Sequence, residues 1–365
     1  MDRTMRTLVV RMYPNREQER QLNECLDVCH DLYNGLLEYC IEMHKEGRKH
    51  PSAYELEKLL PDMKKADPKL KTVYSQVLYD VCVRLSRAFD GFFRRVKEDP
   101  EHAGFPRFKS WKRYDSFTYP QKGFKLSPNH IRLSPWKTDV RIRGYRKIGG
   151  TVKTCTIIRK GAGPRYRWEA ALTFEMDSKD GGTAVQAFIE PTRPIGIDLG
   201  LRNMVVTSEG IAYPNRKNYV QAERQVSKIL RKMAKYEKGS KERERYRQRL
   251  FHAFERLNNV NKGYIHDVVN SLLENHDMII MEDIQTKDLA NKSGSKGMRK
   301  SFRDASWGKF IFTLGYKAAE AGIQLVRVDP AYTSQQCSKC GIMVPKDLSV
   351  RRHICPHCGL DVDRD

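Results

Sequence analysis

Two pairs of cysteines near the end of the sequence constrain the fold more than any other feature. Cys337 and Cys340 form one Cys-x-x-Cys motif, Cys355 and Cys358 form a second, and 14 residues separate the two motifs. A glycine follows each motif, which suits the tight turn of a metal-binding knuckle. Four thiolates at this spacing are typical of a closed tetrahedral zinc site. The pattern predicts a structural zinc ribbon, with no ligand position left open for a catalytic water.

The remaining five cysteines are scattered along the first half of the chain. Two of them, Cys25 and Cys29, are four residues apart on an apolar helix face, where small buried thiols are common. We interpret all five as reduced packing residues without chemistry of their own: Cys25, Cys29, Cys40, Cys82 and Cys155.

The charge balance indicates a polyanionic partner. The 365 residues include 67 Lys and Arg against 45 Asp and Glu, which gives a net charge of +22. A basic excess of this size favours nucleic-acid binding. The length suggests two to three domains at about 100–200 residues each. No run approaches the ~20 apolar residues of a membrane span, and the first residues lack the apolar segment of a secretory signal. These features predict a cytoplasmic protein without membrane association.

Hydrophobic patterns divide the chain into three regions. Residues 7–12 alternate as a strand, and amphipathic helices are predicted over 17–45 and 72–97. Short alternating runs then fill residues 105–176, which indicates a β-rich module. Because the first strand has no local partner, we expect it to pair with this module, which makes the helical region an insertion between strands.

The third region begins at residue 195 and alternates strands with helices. Strands are predicted over 194–201, 204–208 and 278–283, a helix over 264–275, and a mobile Gly/Ser/Lys loop over 292–300. The charged helical stretch 218–259 has two interpretations, a solvated helical hairpin or a phosphate-contacting surface. The excess of basic over acidic residues favours the second. Ten of the basic residues are Lys228, Arg231, Lys232, Lys235, Lys238, Lys241, Arg243, Arg245, Arg247 and Arg249.

Acidic residues recur where strands should be buried. Asp198 lies inside an apolar strand and Glu282 ends another, while Asp361, Asp363 and Asp365 form a third cluster. A single acid at a strand end is more often a cap or an ion-pair partner. A buried carboxylate is costly without a cation, however, and carboxylate oxygens are the ligands that Mg²⁺ prefers. Their recurrence predicts two Mg²⁺ ions about 4 Å apart, the arrangement that cleaves phosphodiesters.

The order of these motifs resembles the TnpB family across the whole chain. The motifs are Gly196-Ile197-Asp198-Leu199-Gly200, Met281-Glu282-Asp283-Ile284, Tyr332-Thr333-Ser334-Gln335, the four cysteines, and Asp363-Arg364-Asp365. TnpB proteins are transposon-encoded RNA-guided DNA endonucleases, related to type V CRISPR effectors. The resemblance implies a multidomain α+β fold with a wedge β-barrel, an inserted helical recognition domain, and a RuvC-like α/β nuclease domain of RNase H fold that carries the zinc ribbon.

The resemblance also implies domain boundaries and a catalytic site. The wedge domain covers 1–14 and 105–190, the recognition domain 15–104, the nuclease domain 191–330 and 361–365, and the ribbon 331–360. Asp198, Glu282 and Asp365 match the three catalytic carboxylates. In the family the last motif continues into Asn-Ala-Ala and a terminal helix, whereas this sequence stops at Asp365. Two alternatives therefore stay open, a catalytically impaired RNA-guided DNA-binding protein of repressor type and a transposase that acts without RNA.

By the same resemblance, a guide RNA from the transposon end pairs with double-stranded target DNA beside a short adjacent motif. Candidates for reading that motif are Gln76 and residues 116–121, although such residues are also ordinary solvent-facing polar groups. Arg351 and Arg352 of the ribbon are candidates for contacting the scissile strand. The full set of predicted nucleic-acid contacts is Gln76, Arg107, Lys109, Lys112, Arg113, Ser116, Thr118, Gln121, Arg351 and Arg352.

Overall fold

The computed structural model describes residues 5–161, 166–176, 192–284, 305–333, 335–346, 350 and 352–363. The chain divides into two compact units, Met1–Asp180 and Gly181–Asp365. The predicted loop over 292–300 lies outside the described residues. Among the described helices, none combines the length and the apolar character that crossing a membrane demands.

The first unit is built on a seven-stranded antiparallel sheet. Its strands are β1 (Met5–Tyr13), β2 (Ser116–Tyr119), β3 (Phe124–Leu126), β4 (His130–Leu133), β5 (Asp139–Arg143), β6 (Thr151–Lys160) and β7 (Arg167–Glu175). They are arranged in the order β2-β6-β7-β1-β5-β4-β3. The first strand pairs with β7 on one side and with β5 on the other. This confirms the predicted pairing of the first strand with the β-rich module.

Three helices lie between β1 and β2 in the sequence. They are α1 (Arg16–Lys45), α2 (Ala53–Ala66) and α3 (Ser75–Glu98). A capping box starts α1: the Asn15 side chain accepts from the Gln18 amide at 2.8 Å, and the Gln18 side chain accepts from the Asn15 amide at 3.0 Å. The buried faces of these helices share one hydrophobic cluster with the inner face of the sheet. The sequence predicts the first and third of these helices, and the structure adds α2.

The second unit contains a five-stranded mixed sheet. Its strands are β8 (Pro194–Asp198), β9 (Asn203–Thr207), β10 (Ala212–Pro214), β11 (Met278–Glu282) and β12 (Gln324–Val328), in the order β10-β9-β8-β11-β12. The pairs β8/β11 and β11/β12 are parallel, whereas β9 is antiparallel to both of its neighbours. Its described helices are α4 (Asn218–Ala234), α5 (Lys241–Asn275) and α6 (Trp307–Ala321).

Alternation along the central strands decides which side chains face the helices. Ile195 and Ile197 of β8 are buried with residues of α5 and α6, and Met281 of β11 belongs to the same core. Since side chains alternate between the two faces of a strand, Asp198 and Glu282 project from the opposite face. The core therefore fixes the direction of both predicted catalytic carboxylates.

The charged stretch forms two helices of different extent from those predicted. The first, α4, ends at Ala234, and α5 then continues without a break to Asn275. The separate helix expected over 264–275 is therefore the last part of α5. The turn between α4 and α5 is closed by Ser240, whose hydroxyl accepts from the Arg243 amide at 3.3 Å.

Candidate metal centres and nucleic-acid interface

The four cysteines of the two motifs converge on one point. Their sulfur atoms all lie within 4.8 Å of one another, and the Cys337–Cys358 and Cys340–Cys355 sulfur pairs are each 3.6 Å apart. Four Zn–S bonds of about 2.3 Å in a tetrahedron would place the sulfurs roughly 3.8 Å apart. The cluster therefore fits a tetrahedral zinc ion.

Backbone geometry prepares the thiols for a metal. The Gly341 amide donates to the Cys337 carbonyl at 2.8 Å, and Gly341 has a φ of 72°, which favours glycine. Hydrogen bonds from the Cys358 amide lower the pKa of Cys355. Burial acts to raise the pKa of Cys337, but amide hydrogen bonds from Cys340 and Lys339 outweigh it and lower that pKa to about 5. In these two cysteines the lower pKa favours the thiolate, the form that binds zinc. The Ile342 amide acts to lower the pKa of Cys340, but burial and hydrogen bonds with the other cysteines outweigh it and raise that pKa, and the pKa of Cys358 is raised as well.

A short hairpin carries the second cysteine motif between its strands. Its strands, β13 (Arg352–Ile354) and β14 (Asp361–Asp363), pair antiparallel. Arg352 binds Asp361 through two hydrogen bonds of 2.7 and 2.9 Å, so its guanidinium braces this hairpin. Arg351, the other ribbon residue predicted to contact nucleic acid, lies outside the described residues.

The register of two parallel strands brings Asp198 and Glu282 side by side. Ile197 of β8 lies opposite Met281 of β11, and the two acids are the next residues along their strands. Neighbouring strands are about 4.8 Å apart, and both side chains lie on the same face. Both residues are half-buried. The third predicted carboxylate, Asp365, lies outside the described residues.

A hydrogen bond holds the Glu282 carboxylate in place, whereas the next acid, Asp283, forms an ion pair elsewhere. The Thr333 hydroxyl lies 2.5 Å from a Glu282 carboxylate oxygen and donates to it. Asp283 instead pairs with Arg327 at 3.0 Å, and its amide donates to the Val328 carbonyl at 2.8 Å. Sequence reasoning gave Thr333 no role at the site, because its contact joins residues 51 positions apart. Of the adjacent acids Glu282 and Asp283, it is therefore Glu282 that lies beside Asp198.

The turn after Asp198 is tightly constrained. The Trp307 indole donates to the Gly200 carbonyl at 3.3 Å. A methyl group on Gly200 would lie 2.9 Å from the Asn203 carbonyl oxygen, closer than real Cβ atoms approach. An alanine here would force the backbone to shift, so glycine lets the turn keep its position at the end of β8.

Four of the predicted nucleic-acid contacts of the first unit lie in the segment 104–113, which side chains from two helices hold in place. Asn34 binds both the amide and the carbonyl of Lys109, at 2.9 and 3.0 Å, and Arg95 donates to the Gly104 carbonyl at 3.2 Å. The segment exposes four predicted basic residues together with the rings of Phe108 and Trp111. The four basic residues are Arg107, Lys109, Lys112 and Arg113.

The remaining candidates of the first unit surround the end of β2 and the first turns of α3. Arg84 donates to the Ser116 carbonyl at 2.7 Å and to the Thr118 hydroxyl at 2.6 Å. The Gln76 side chain accepts from the Lys122 amide at 3.4 Å, and Gln121 is exposed. Three of these four candidates therefore already bond within the chain.

Three family models match separate parts of this sequence. They are described as a helix-turn-helix domain over residues 1–49, a probable transposase over 177–293, and a Cas12f1-like TNB domain over 307–365. A putative RNA-guided DNA endonuclease, InsQ of Escherichia coli K12, is 26% identical over 90% of this chain and 81% of its own length. Over most of its length, this chain is therefore similar to a protein named as an RNA-guided DNA endonuclease. A second relative, a putative RNA-guided DNA endonuclease of Streptomyces pristinaespiralis, is 27% identical over 100% of this chain and 88% of its own.

The likeness of this chain to solved structures concerns the fold. A Cas12f1 chain, solved in a Cas12f1–sgRNA–target DNA complex, has a TM-score of 0.57 at 13% identity and covers 93% of this chain and 92% of its own. The two share a mixed α+β fold. The described residues between 5 and 49 hold the strand β1 and the single helix α1, so they do not form a helix-turn-helix.

Proposed function

We propose that this chain is an RNA-guided DNA endonuclease that cleaves double-stranded target DNA beside a short adjacent motif, using Mg²⁺. The observation that carries the proposal is the pair of half-buried carboxylates, Asp198 and Glu282, at the ends of adjacent parallel strands. Similar proteins that cover most of the chain are named RNA-guided DNA endonucleases. The net charge of +22 supports binding of both RNA and DNA.

The donor set suits hard divalent cations. Asp198 and Glu282, together with Asp365, would hold two Mg²⁺ ions, which supply a nucleophilic water and stabilise the leaving oxygen. Thr333 restricts the rotation of the Glu282 carboxylate by donating to it. Trp307 holds the turn that follows Asp198. These contacts preorganise the carboxylates, which a site must hold within ~0.5 Å.

The domain assignment belongs to the same proposal. A wedge domain over 1–14 and 105–190 would bind the guide, with the recognition domain 15–104 inserted in it. A RuvC-like nuclease domain over 191–330 and 361–365 would carry the carboxylates. The ribbon 331–360 would hold zinc as scaffold through its four cysteines, whose sulfur spacing supports that role.

The test separates the proposal from its alternatives by RNA dependence. The chain is coexpressed with RNA transcribed from the transposon end, purified, and mixed with a target plasmid and Mg²⁺, with and without prior RNase treatment. The proposal expects cutting that follows the guide sequence and disappears after RNase treatment. RNA-dependent binding without cutting would indicate a repressor-like protein, and DNA binding that survives RNase would indicate a transposase.

A further inference from the structure

A groove in the second unit is walled by basic side chains. It has a volume of about 400 Å³ and lies between α4 and α5. We call it the basic groove. Its cationic lining residues are Lys228, Arg231, Lys232 and Lys235 of α4 and Arg249 of α5, and none of the described residues that line it is acidic.

The α4 residues form one stripe along the helix. Their spacing of three, four and seven residues places them on one face, and seven residues rise about 10.5 Å. A nucleic-acid strand carries one phosphate per ~3.4 Å of helix axis, so the stripe spans roughly three phosphates. Within the described part of the chain, none of the groove cations forms an ion pair. Like charges at this spacing repel, so the stripe destabilises a bare hairpin.

Two arginines outside the groove have structural partners, which sets them apart from the groove cations. Arg247 pairs with Glu244 at 2.6 Å. Arg243 donates to the Tyr236 carbonyl at 2.7 Å and so closes the end of α4. In the groove, the Arg249 guanidinium lies 5.2 Å from the centre of the Tyr246 ring, which stacks on Tyr236. Arg243 and Arg247 therefore brace the hairpin, whereas the groove cations present positive charge to the groove.

We propose that the basic groove binds the phosphate backbone of the guide RNA. This assignment rests on the proposed function, in which a guide RNA stays bound while target DNA is bound and cleaved. A stripe of mutually repelling cations is stabilised only while a polyanion occupies it. A resident RNA meets that condition better than a DNA target that enters and leaves. The contacts involve phosphates, so they are independent of base sequence.

The test compares two matched triple variants of the full chain, freed of RNA. The groove variant carries Lys228→Gln, Lys232→Gln and Lys235→Gln. The control variant carries Lys238→Gln, Lys241→Gln and Lys262→Gln, three exposed lysines of the same hairpin that do not line the groove. Glutamine keeps the helix propensity of lysine, so the fold is retained.

The affinity of a labelled oligouridylate is measured between about 50 and 200 mM salt. Each lost phosphate contact removes about 0.7–0.9 from the slope of log affinity against log salt, so the groove variant should lose about 2–3. Between these salt concentrations, the affinity of the wild type should therefore fall by a factor roughly 20 to 40 times larger than the corresponding factor for the groove variant. Equal slopes for wild type and groove variant, or an equal loss in the control, would overturn the proposal.

A second measurement distinguishes RNA from DNA as the occupant. Both proteins are saturated with transposon-end RNA, and the binding of an oligodeoxythymidylate is followed at the same salt concentrations. A groove filled by RNA predicts the same slope for wild type and groove variant. A shallower slope for the variant would show that DNA uses the groove, which contradicts the assignment. Guided cleavage by the wild type is scored separately, so a failure of the nuclease proposal is distinguishable from a failure at the groove.

Discussion

Gly200 lies two residues after Asp198, and its replacement by alanine should disturb the candidate catalytic site. The added Cβ would lie 2.9 Å from the Asn203 carbonyl oxygen. That oxygen belongs to the backbone at the start of β9, so the strain cannot be relieved by rotating a side chain. The turn must shift, and with it the end of β8 that carries Asp198.

Two magnitudes follow from this contact. Overpacking of this kind costs about 1–3 kcal/mol, and each kcal/mol lowers the melting temperature of a unit this size by about 2–4 °C. A displacement of about 1 Å at a catalytic group costs on the order of 100-fold in rate. Gly200→Ala should therefore lower the melting temperature of the second unit and reduce guided cleavage by a larger factor than its stability loss explains.

The same strand offers the matched control. A Cβ on Gly196 would lie 3.6 Å from the Ser208 Cβ, an ordinary van der Waals contact. Gly196→Ala should therefore melt within about 2 °C of the wild type. Calorimetry and plasmid cleavage measure both effects. If Gly200→Ala matched the wild type in stability and cleavage, the argument that this turn positions Asp198 would be refuted.

Three further predictions concern the ribbon, the first unit and α5. Cys355→Ser should abolish zinc binding, measured by metal analysis, whereas Cys82→Ser, at a buried thiol outside the cluster, should leave zinc binding unchanged. Burial lowers the pKa of His50, so the folded state favours the neutral ring. The free energy of unfolding should therefore fall as the pH drops below about 6.5. The His50→Gln variant should lose less stability than the wild type on acidification. Gly263→Ala should stabilise α5 by about 1 kcal/mol in thermal melting, because nothing lies within 4 Å of the added methyl; an unchanged melting temperature would contradict this.

The parts of the fold with clear periodicity were predictable. Strict alternation in residues 116–119 predicts β2 with the bounds that the structure has. Helix α2 escaped prediction because Pro61 lies inside it, and proline usually marks a helix end. The helix persists because Ser52 and Glu55 form a capping box and because Leu56 and Leu60 are buried. In α2 the proline disfavours a helix locally, but the capping box and the burial of apolar side chains outweigh that effect.

The candidate site was predictable in composition but not in geometry. An acid in an apolar strand marks both Asp198 and Glu282 as unusual. That they lie side by side depends on β8 and β11 being adjacent, parallel and in register, which is set by pairing across more than 80 residues. The contact of Thr333 with Glu282 depends on the same long-range packing, so no local pattern indicates it.

The most direct test of the central claim is guided plasmid cleavage in Mg²⁺ by three single variants. Asp198→Asn and Glu282→Gln each remove the charge of one proposed metal ligand while keeping the side-chain shape. Asp283→Asn is the matched control, since that acid pairs with Arg327 instead. Loss of several kcal/mol of transition-state stabilisation predicts at least about a 10³-fold decrease for the first two. The control should stay within about tenfold of the wild type. Cleavage that survives Asp198→Asn, or that falls as far in Asp283→Asn, would contradict the claim.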